Sequence, residues 1–585
     1  MTSYSITPFD FTSTIEKQAA EHEHLRNWPV VYVLNSPPSS GEKQGYVYFG
    51  ETLNFSVRMR QHWANEEKRE KLRTARVIIH EEFNKSVCLD LESFLIKHAA
   101  GDGSHEVMNR NTGVVDSDYF DRERYNTIFQ DIFQEMLEEG VFQRSIPEIV
   151  NSELFKLSPF KSLNHDQATA VVDIMEGLIE DLDKETEPGN LLFIEGDPGT
   201  GKTVVAIYLM KLMQDIGDGR DVGEGETGDT VFSEFFVEGN RERFDGKRIA
   251  LVVPQQSLRK SIGNVFDRTP GLNRNMVMTP HQVARDPGMF DVVIVDEAHR
   301  LNQRSNQNSG PANNEFIDIN RNLFGEGGEL KSQLDWLRKK SRHVILMLDL
   351  RQTVRPQDIP REEFEEILEQ QGKKKRYRLH TQMRSLGGND YIQYIYDVLS
   401  PMPPAKRLSF GEYEVGLVDS PRRLYELILQ RDREHGLARM VAGYAWEWAS
   451  KKNKSAIDID LAPDARFQWN QTDTDWVNSR NALHEVGSIH TVQGYDLNYA
   501  GVIIGRDLRY DPESGELIIN RDNYHDKKGK ENNKLRKRDT TEELLRSMIL
   551  NIYAVLLTRG IKGTFIHVVD PPLREYLGRY FSVIR

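Results

Sequence analysis

One short stretch of this chain has the residue types and spacing that hold a triphosphate. An apolar run precedes it and a segment with helical spacing follows it, so the pattern predicts a strand, a glycine-rich loop and a helix. In that setting backbone N–H groups and a helix N-terminus surround the phosphates, Lys202 adds a point charge, and the Thr203 hydroxyl can ligate Mg²⁺. The pattern predicts a nucleoside triphosphate site. Its residues are Gly196, Asp197, Pro198, Gly199, Thr200, Gly201, Lys202 and Thr203.

A second apolar run ends in two carboxylates. The run Val292–Val295 is followed directly by Asp296, Glu297, Ala298 and His299. In this position Asp296 can hold Mg²⁺ through water, and Glu297 can activate the water that attacks the γ-phosphate. Adjacent carboxylates are common on protein surfaces. Because this pair ends a buried strand downstream of a phosphate loop, the arrangement favours triphosphate hydrolysis.

From about residue 160 to 585 the chain resembles the superfamily-one helicases and translocases, whose motifs occur here in order. The resemblance implies that Gln167 contacts the adenine of ATP, and that Gln352 belongs to a third motif at the cleft. It also implies that Arg384 and Arg559 reach the γ-phosphate from a second lobe. Two positions depart from the pattern, since Leu348 replaces a glycine and Ser488 a threonine. The matching segments are Leu163–Ala168, Val253–Leu258, Met278–His281, Asp349–Gln352, Gln382–Arg384, Ser488–Asp496 and Tyr553–Arg559.

Two further phrases make this resemblance more specific. Val441–Trp448 and Leu557–Thr564 are similar to a helicase-like domain of unknown function that is related to the Schlafen helicase region. Arginines that reach the γ-phosphate only when two lobes close would couple hydrolysis to domain motion. A kinase-like or metabolic phosphate-loop enzyme is disfavoured, because it leaves Arg384, Gln493 and Arg559 without roles.

The N-terminal part contains a separate set of residues with types suited to phosphodiester cleavage. Tyr32 and Tyr48 lie in two apolar runs, and Glu92 lies in a later helical segment. Arg58 and His62 are spaced to share one face of a helix. A tyrosine can orient or deprotonate water, an arginine can neutralise a phosphate, and one carboxylate can anchor a divalent metal.

Together with Gly50 and Asn109, these positions resemble the GIY-YIG nuclease domain. The resemblance implies water handling and site geometry for the tyrosines, phosphate binding for the arginine and proton handling for the histidine. It implies that the glutamate binds Mg²⁺ or Mn²⁺. Val30 replaces the first glycine of the signature, and residues 37–45 lengthen the turn between its strands. Alternating tyrosines are also ordinary strand residues, and a lone glutamate is commonly a solvated part of a helix.

The order of apolar runs predicts an α/β protein with two RecA-like parallel-sheet lobes after a small α+β, GIY-YIG-like domain. Short β-branched runs alternate with helical segments, which is typical of parallel, helix-covered sheets. The predicted divisions are a nuclease-like domain (25–115), a helical connector (116–160), a first lobe (161–370, with an acidic insert at about 215–245) and a second lobe (371–585).

Length and composition limit the class of protein. The 585 residues are too many for one core, and the net charge of −14 argues weakly against a protein coated in nucleic acid. No apolar run approaches the roughly 20 residues that span a bilayer, and the N-terminus lacks the pattern of a secretory signal. Cys88 is the only cysteine, so no disulfide can form within the chain. A cytoplasmic protein without membrane contact is expected.

These observations favour an ATP-dependent nucleic-acid translocase or helicase that carries a metal-dependent endonuclease. ATP and Mg²⁺ are the expected cofactors of the motor, and the nucleic acid is expected to be DNA rather than RNA. Such a pairing of domains suits defence, restriction or repair. The alternative is a nucleic-acid-sensing regulatory ATPase whose N-terminal domain only binds nucleic acid or a partner protein. An oligomer remains open.

Overall fold

The computed structural model describes most of the chain, in two compact units. The described residues are 4–39, 41, 44–109, 119–160, 163–182, 187–219, 232–305, 310–353, 355–371, 376–381, 385–472, 476–492 and 495–584. No helix among them combines the length and apolarity needed to cross a bilayer. The first unit comprises Met1–Asp183, Ile207–Gly246 and Ile262–Met276, and the second Lys184–Ala206, Lys247–Ser261 and Val277–Arg585.

The first unit contains a five-stranded mixed sheet in the order β1-β4-β2-β3-β5. Its strands are β1 (Tyr4–Asp10), β2 (Val30–Ser36), β3 (Gly45–Thr52), β4 (Thr74–His80) and β5 (His105–Val107). Strands β2 and β3 form the antiparallel pair predicted for the two tyrosine-bearing runs. The helices up to residue 182 are α1 (Ile15–Ala20), α2 (Phe55–Ala64), α3 (Glu66–Lys71), α4 (Lys85–Asp102), α5 (Arg122–Glu138), α6 (Ile146–Asn151), α7 (Glu153–Lys156) and α8 (His165–Leu182).

Helices α4 and α5 share a core with the sheet. Helix α5 lies within the helical connector predicted for residues 116–160, and it is polar only on its outer face. Its inner face repeats every three or four residues and packs into the same hydrophobic cluster as α4 and strands β2 and β3. The buried residues of α5 are Tyr125, Ile128, Phe129, Ile132, Phe133 and Met136.

A six-stranded, all-parallel sheet, which we call the first lobe, has the order β11-β6-β10-β9-β7-β8. Strand β11 lies beyond residue 371, where the second lobe was expected to begin, and pairs with β6 at the sheet edge. The strands are β6 (Asn190–Gly196), β7 (Ile249–Val252), β8 (Val277–Met278), β9 (Phe290–Val295), β10 (Ser341–Leu348) and β11 (Arg376–Leu379). The helices in this part of the chain are α9 (Lys202–Gly217), α10 (Glu238–Phe244), α11 (Gln256–Phe266), α12 (Pro280–Arg285), α13 (Gly310–Phe324), α14 (Gln333–Lys340) and α15 (Arg361–Gln371).

A second parallel sheet, which we call the second lobe, has the order β12-β20-β17-β13-β16. The two parallel sheets confirm the predicted α/β fold with two RecA-like lobes, while the domain boundaries themselves stay predictions. Two antiparallel hairpins, β14–β15 and β18–β19, lie outside this sheet. The strands are β12 (Glu414–Leu417), β13 (Ala438–Ala442), β14 (Ile459–Ala462), β15 (Ala465–Phe467), β16 (Val486–Ser488), β17 (Leu497–Ile504), β18 (Leu508–Asp511), β19 (Glu516–Ile519) and β20 (Gly560–Val568). The helices are α16 (Gly388–Val398), α17 (Pro421–His435), α18 (Ile489–Val492), α19 (Glu542–Leu557) and α20 (Pro571–Gly578).

The core of the second lobe contains a carboxylate that should make stability depend on pH. Asp507 is buried and accepts a hydrogen bond from the Tyr553 hydroxyl of α19 at 2.6 Å. Burial raises the pKa of Asp507 to about 7, against the opposing effect of that hydrogen bond. An unfolded aspartate titrates near pH 4, so the folded state binds the extra proton, and its stability falls as pH rises from about 4 to about 7.

We therefore expect Asp507→Asn to lose less stability than the wild type between pH 5 and pH 8. The difference should approach roughly 2–3 kcal/mol, because about two of the three pKa units that separate the folded and unfolded groups lie above pH 5. Urea unfolding of both proteins at the two pH values measures this difference in the free energy of unfolding. Equal pH dependence in the two proteins would contradict the assignment.

Candidate functional site

The predicted phosphate loop joins the end of β6 to the start of α9. Gly199 and Gly201 have φ angles of +88° and +82°, a region that glycine enters without strain. A Cβ atom on Gly196 would lie 2.4 Å from Thr200 Oγ1. The glycines of the motif are therefore required by the backbone of this loop and by the close approach of a side chain.

Lys202 is buried within this loop. Its Nζ donates hydrogen bonds to the carbonyl oxygens of Gly196 at 2.6 Å and Asp197 at 3.0 Å. It also lies 3.7 Å from a carboxylate oxygen of Asp349, which follows β10. A bound phosphate would compete with these oxygens for the ammonium group.

Thr203 and Asp296 come together at the ends of neighbouring elements of the first lobe. Thr203 Oγ1 donates to Asp296 Oδ2 at 2.8 Å, while Asp296 Oδ1 is buried without a hydrogen-bond partner among the described residues. Burial and the adjacent Glu297 carboxylate raise the pKa of Asp296 to about 7. A hydroxyl beside a buried carboxylate with an unused oxygen is a donor set that fits Mg²⁺. These two residues would hold the ion, which would neutralise phosphate charge.

Glu297 lies two residues beyond the end of β9 and has an unusual backbone conformation. Its φ of +52° lies in the left-handed region, which is strained for a residue with a side chain. A carboxylate oxygen lies 3.0 Å from His299 Nε2 and 4.0 Å from Arg300 Nε. Burial alone would raise the pKa of Glu297, but His299, Arg300 and Lys202 together hold it well below its usual range. The side chain is therefore ionised and can accept a hydrogen bond from water.

The third motif links the phosphate loop to the second lobe. Gln352 is buried and donates to Asp349 Oδ2 at 2.7 Å. The Arg351 guanidinium lies 3.7 Å from a carboxylate oxygen of Asp197 and stacks 4.8 Å from the ring centre of Tyr396 on α16. A cavity of about 710 Å³ lined by Arg351 extends between this motif and helices α16 and α19.

Arg559 lies just beyond α19 in the second lobe. It is buried and donates to the carbonyl oxygen of Tyr495 at 3.4 Å. Burial raises the pKa of Tyr396, Asp349 and Asp197 of the first lobe raise it further, and Arg559 opposes the shift. The pKa of the Tyr396 hydroxyl therefore depends both on charges near the phosphate loop and on Arg559. Contact of Arg559 with the γ-phosphate stays a prediction.

Three other predicted positions are not placed in this site. Arg384 and Gln493 lie outside the described residues. Gln167 is in the first unit. Its side-chain oxygen accepts a hydrogen bond from the Asn164 N–H at 3.1 Å, and the Gln167 N–H donates to Asn164 Oδ1 at 2.8 Å. This reciprocal pair caps α8. Its role in adenine recognition stays a prediction.

A contact between the lobes that the sequence did not indicate involves Arg355 and His490. Arg355 donates to His490 Nδ1 at 2.6 Å, and His490 Nε2 lies 3.5 Å from Asp526. Burial, reinforced by Arg355, lowers the pKa of His490 to about 4, so the ring is neutral. Burial, together with neighbouring Arg355, also lowers the pKa of Arg300 to about 10. Two arginines thus lie between Glu297 and the fifth motif.

The basic segment 527–538 of the second lobe also contacts the first lobe. Arg536 lies 3.1 Å from a carboxylate oxygen of Glu363 and donates to the carbonyl oxygen of Leu330 at 2.8 Å. Asn533 Nδ2 donates to the carbonyl oxygen of Arg304 at 3.1 Å. At least part of this positive charge is therefore used within the protein.

In the first unit the predicted nuclease residues meet at one hydroxyl group. The buried Tyr32 hydroxyl lies 2.7 Å from His62 Nε2 and accepts a hydrogen bond from Arg58 Nε at 3.2 Å. Both partners lie on α2, as their spacing predicts. Gly50 pairs with Tyr32 in the β2–β3 ladder, and a Cβ atom there would lie 2.1 Å from the Tyr32 hydroxyl. The glycine of the signature therefore makes room for the Tyr32 phenol.

Tyr48 and Asn109 complete this side of the site. The Tyr48 ring stacks 6.3 Å from the Tyr32 ring and lies 4.9 Å from the His62 ring, centre to centre. Asn109 accepts from the Phe49 N–H at 2.9 Å and donates to the Phe49 carbonyl oxygen at 2.8 Å. These two hydrogen bonds hold β3 in place beside Tyr48.

The predicted metal ligand Glu92 lies half-buried on α4. Burial raises the pKa of the Cys88 thiol, and Glu51 and Glu92 raise it further. Burial also raises the pKa of Glu51, whereas Lys85 and Arg58 lower it. Glu92 lies one helical turn beyond Cys88 on α4, and Glu51, which the sequence reasoning missed, acts on the same thiol. Metal binding by Glu92 stays a prediction. Within the described residues, no three His, Cys, Asp or Glu side chains form a group that could hold a metal.

The fold and the first of these sites define a phosphate-loop ATPase with two parallel-sheet lobes. Over residues 189–570 the chain matches the family described as Schlafen group 3, DNA/RNA helicase domain, and it belongs to that family. It therefore contains a helicase-type ATPase that acts on nucleic acid.

Individual relatives are more distant. The uncharacterized Saccharomyces cerevisiae protein YPL245W is 25% identical over 418 residues, covering 66% of this chain and 84% of the relative. The helicase nonstructural protein 10 of an arterivirus is 12% identical with a TM-score of 0.28, over 69% of this chain. The match spans 64% of that viral protein, less than two thirds of its length. Pif1 helicase from Candida albicans is 11% identical with a TM-score of 0.27, over 72% of this chain and 97% of its own.

Proposed function

We propose that the protein couples ATP hydrolysis to movement along DNA and cleaves DNA with a metal-dependent endonuclease in its N-terminal unit. The observation that supports the endonuclease activity is the buried Tyr32 hydroxyl, which is held between Arg58 and His62. The domain pairing suits a role in defence, restriction or repair.

At the ATPase site the chain's own residues position the triphosphate and the water. The loop N–H groups and Lys202 bind the β- and γ-phosphates, and Glu297 takes the proton of the attacking water. Mg²⁺ held by Thr203 and Asp296 would neutralise phosphate charge. Arg559, together with Arg384, stabilises the γ-phosphate when the second lobe closes, so that each hydrolysis moves the lobes.

At the nuclease site a water oxygen attacks the phosphorus of a phosphodiester as the bond to the leaving sugar oxygen breaks. Tyr32 takes the proton of the attacking water, Arg58 neutralises the non-bridging oxygens, and solvent protonates the leaving alkoxide. Mg²⁺ commonly uses one or two carboxylates plus phosphate and water, so Glu92 fits as its protein ligand. The ion would stabilise charge on the phosphate.

Cleavage of supercoiled plasmid by the full chain with Mg²⁺ or Mn²⁺ tests the endonuclease. We expect nicked or linear product that is lost with Glu92→Ala and with Arg58→Ala, because each removes charge needed to stabilise the pentacoordinate phosphate. Arg60→Ala is the matched control, since Arg60 is exposed on the same helix and pairs with Glu16 at 3.1 Å. Cutting that survives in the Arg58 and Glu92 variants contradicts this site.

The alternative is a regulatory ATPase whose N-terminal unit only binds nucleic acid or a partner. It is supported if the intact chain binds plasmid without cutting it in either metal. Parallel measurement of ATPase stimulation by single-stranded DNA, duplex DNA and RNA tests the preference for DNA.

A further inference from the structure

Lys68 contacts two residues of the nuclease site although the nuclease signature does not include it. It lies on the short helix α3, directly after the turn at Asn65 that ends α2. The Asn65 side chain accepts from the Lys68 N–H at 3.0 Å, which fixes this turn. The Lys68 ammonium lies 3.0 Å from His62 Nδ1 and 3.6 Å from the centre of the Tyr48 ring.

The direction of these hydrogen bonds follows from the donors. A lysine ammonium has protons to donate and no lone pair, so His62 Nδ1 must be the acceptor. A neutral imidazole with an accepting Nδ1 carries its proton on Nε2, and that nitrogen faces the Tyr32 oxygen at 2.7 Å. The ring therefore donates to Tyr32.

We propose that Lys68 is a positioning residue of the nuclease, which fixes the ring proton of His62 on Nε2 so that the ring donates to the Tyr32 oxygen. This inference rests on the proposed endonuclease function. Without Lys68, the ring can hold its proton on Nδ1 and present a bare Nε2, which accepts a hydrogen bond from the neutral Tyr32 hydroxyl and so favours the protonated phenol.

The consequence is a tyrosine prepared to act as a base. Its oxygen receives one N–H from His62 and one from Arg58, and hydrogen bonds donated to the charged form favour that form. Burial and the neighbouring charges of Lys68 and Arg58 hold the pKa of His62 well below its usual value, so the ring is neutral and its tautomer decides the direction.

Other charged and titratable groups surround these hydrogen bonds and contribute to the pH dependence of DNA cleavage. They are Tyr48 and Glu51 from β3, Arg58 and His62 from α2, Lys68 from α3, and Lys85, Cys88 and Glu92 from α4. Of these groups, the variants compared in the pH profile change only Lys68.

The first experiment compares the pH dependence of plasmid cleavage by the wild type, Lys68→Met and Lys68→Arg. Methionine keeps the stem over the Tyr48 ring and removes the donor, so the acidic limb of the profile should move up by about one pH unit, with about tenfold slower cleavage at pH 7. Arginine can still donate to Nδ1 and should restore most of the rate. Lys71→Met is the matched control, because Lys71 lies on α3, pairs with Glu67 at 2.9 Å and stacks on Tyr46. An unshifted profile in Lys68→Met overturns the proposal.

The second experiment reads the tautomer directly in the full chain. Nitrogen NMR of protein labelled with ¹⁵N-histidine, assigned by comparison with His62→Gln, should show a bare Nδ1 and a protonated Nε2 for His62. The opposite pattern overturns the proposal even if Lys68→Met does not fold. The expected pattern in a protein that never cuts DNA would support the role of Lys68 in setting the tautomer and refute the endonuclease, so the two failures are distinguishable.

Discussion

Replacing Lys202 with alanine is expected to reduce ATP hydrolysis by roughly 10²- to 10³-fold or more. The Lys202 ammonium is buried and held by the carbonyl oxygens of Gly196 and Asp197 at 2.6 and 3.0 Å. These bonds place the ammonium in the loop where the phosphates should lie. Alanine removes the positive charge that stabilises the negative charge on the phosphates as the bond to the γ-phosphate breaks. Steady-state phosphate release, with and without single-stranded DNA, measures the effect.

The control for this substitution is Lys339→Ala, at the exposed end of α14. It removes one lysine from the same lobe without touching the loop, so its turnover should equal that of the wild type. Melting curves of both variants separate a catalytic loss from unfolding. DNA-stimulated turnover that survives in Lys202→Ala would show that this loop is not the hydrolysis site.

The sequence was most informative where a site is built from neighbouring residues. The phosphate loop and the strand that ends at Asp296 are contiguous signatures, and the backbone that they imply is present, with Gly199 and Gly201 at positive φ. The spacing of Arg58 and His62 likewise predicted that they share one face of a helix, and in the structure both side chains reach the Tyr32 hydroxyl. Local geometry constrains these positions tightly, so the residue types alone were enough.

Contacts between distant segments could not be predicted in the same way. Arg355 meets His490, and Arg536 meets Glu363, only because the two lobes fold against each other. Polar side chains at such positions are ordinary surface residues in a single sequence. The basic segment 527–538 illustrates this, because a run of lysines and arginines predicts phosphate contact as readily as the interlobe ion pair that forms.

Lys68 was missed for a different reason. It lies in the stretch Glu66–Lys71, whose six residues are all lysine, arginine or glutamate. This is the composition of a solvated helix. Only the turn after α2 brings its ammonium over Tyr48 and onto His62. Glu51 was passed over because it follows the signature glycine directly and no spacing rule marks it.

Under the proposed function, the contacts between the lobes give ATP hydrolysis a physical route to the fifth motif. Glu297 is close to Arg300, whose pKa is affected by Arg355, and Arg355 donates to His490 in the fifth motif. Loss of a γ-phosphate beside Glu297 changes the charge at one end of this row. Such a change can bias the contact between the lobes at the other end, which is what a motor requires.

Replacing Glu297 with glutamine is expected to slow hydrolysis by about 10²- to 10⁴-fold while ATP still binds. Glutamine keeps the size of the side chain but cannot take a proton from water, and the phosphate loop with Lys202 is unchanged. The left-handed backbone at this residue is equally strained for both side chains, so the substitution tests chemistry rather than the turn. Single-turnover hydrolysis and binding of a fluorescent ATP analogue measure the two steps separately. Asp291→Asn is the matched control, because Asp291 lies at the other end of β9 and accepts from the Arg248 N–H at 3.0 Å, away from the loop. If Glu297→Gln hydrolysed ATP at the rate of this control, another group would have to activate the water.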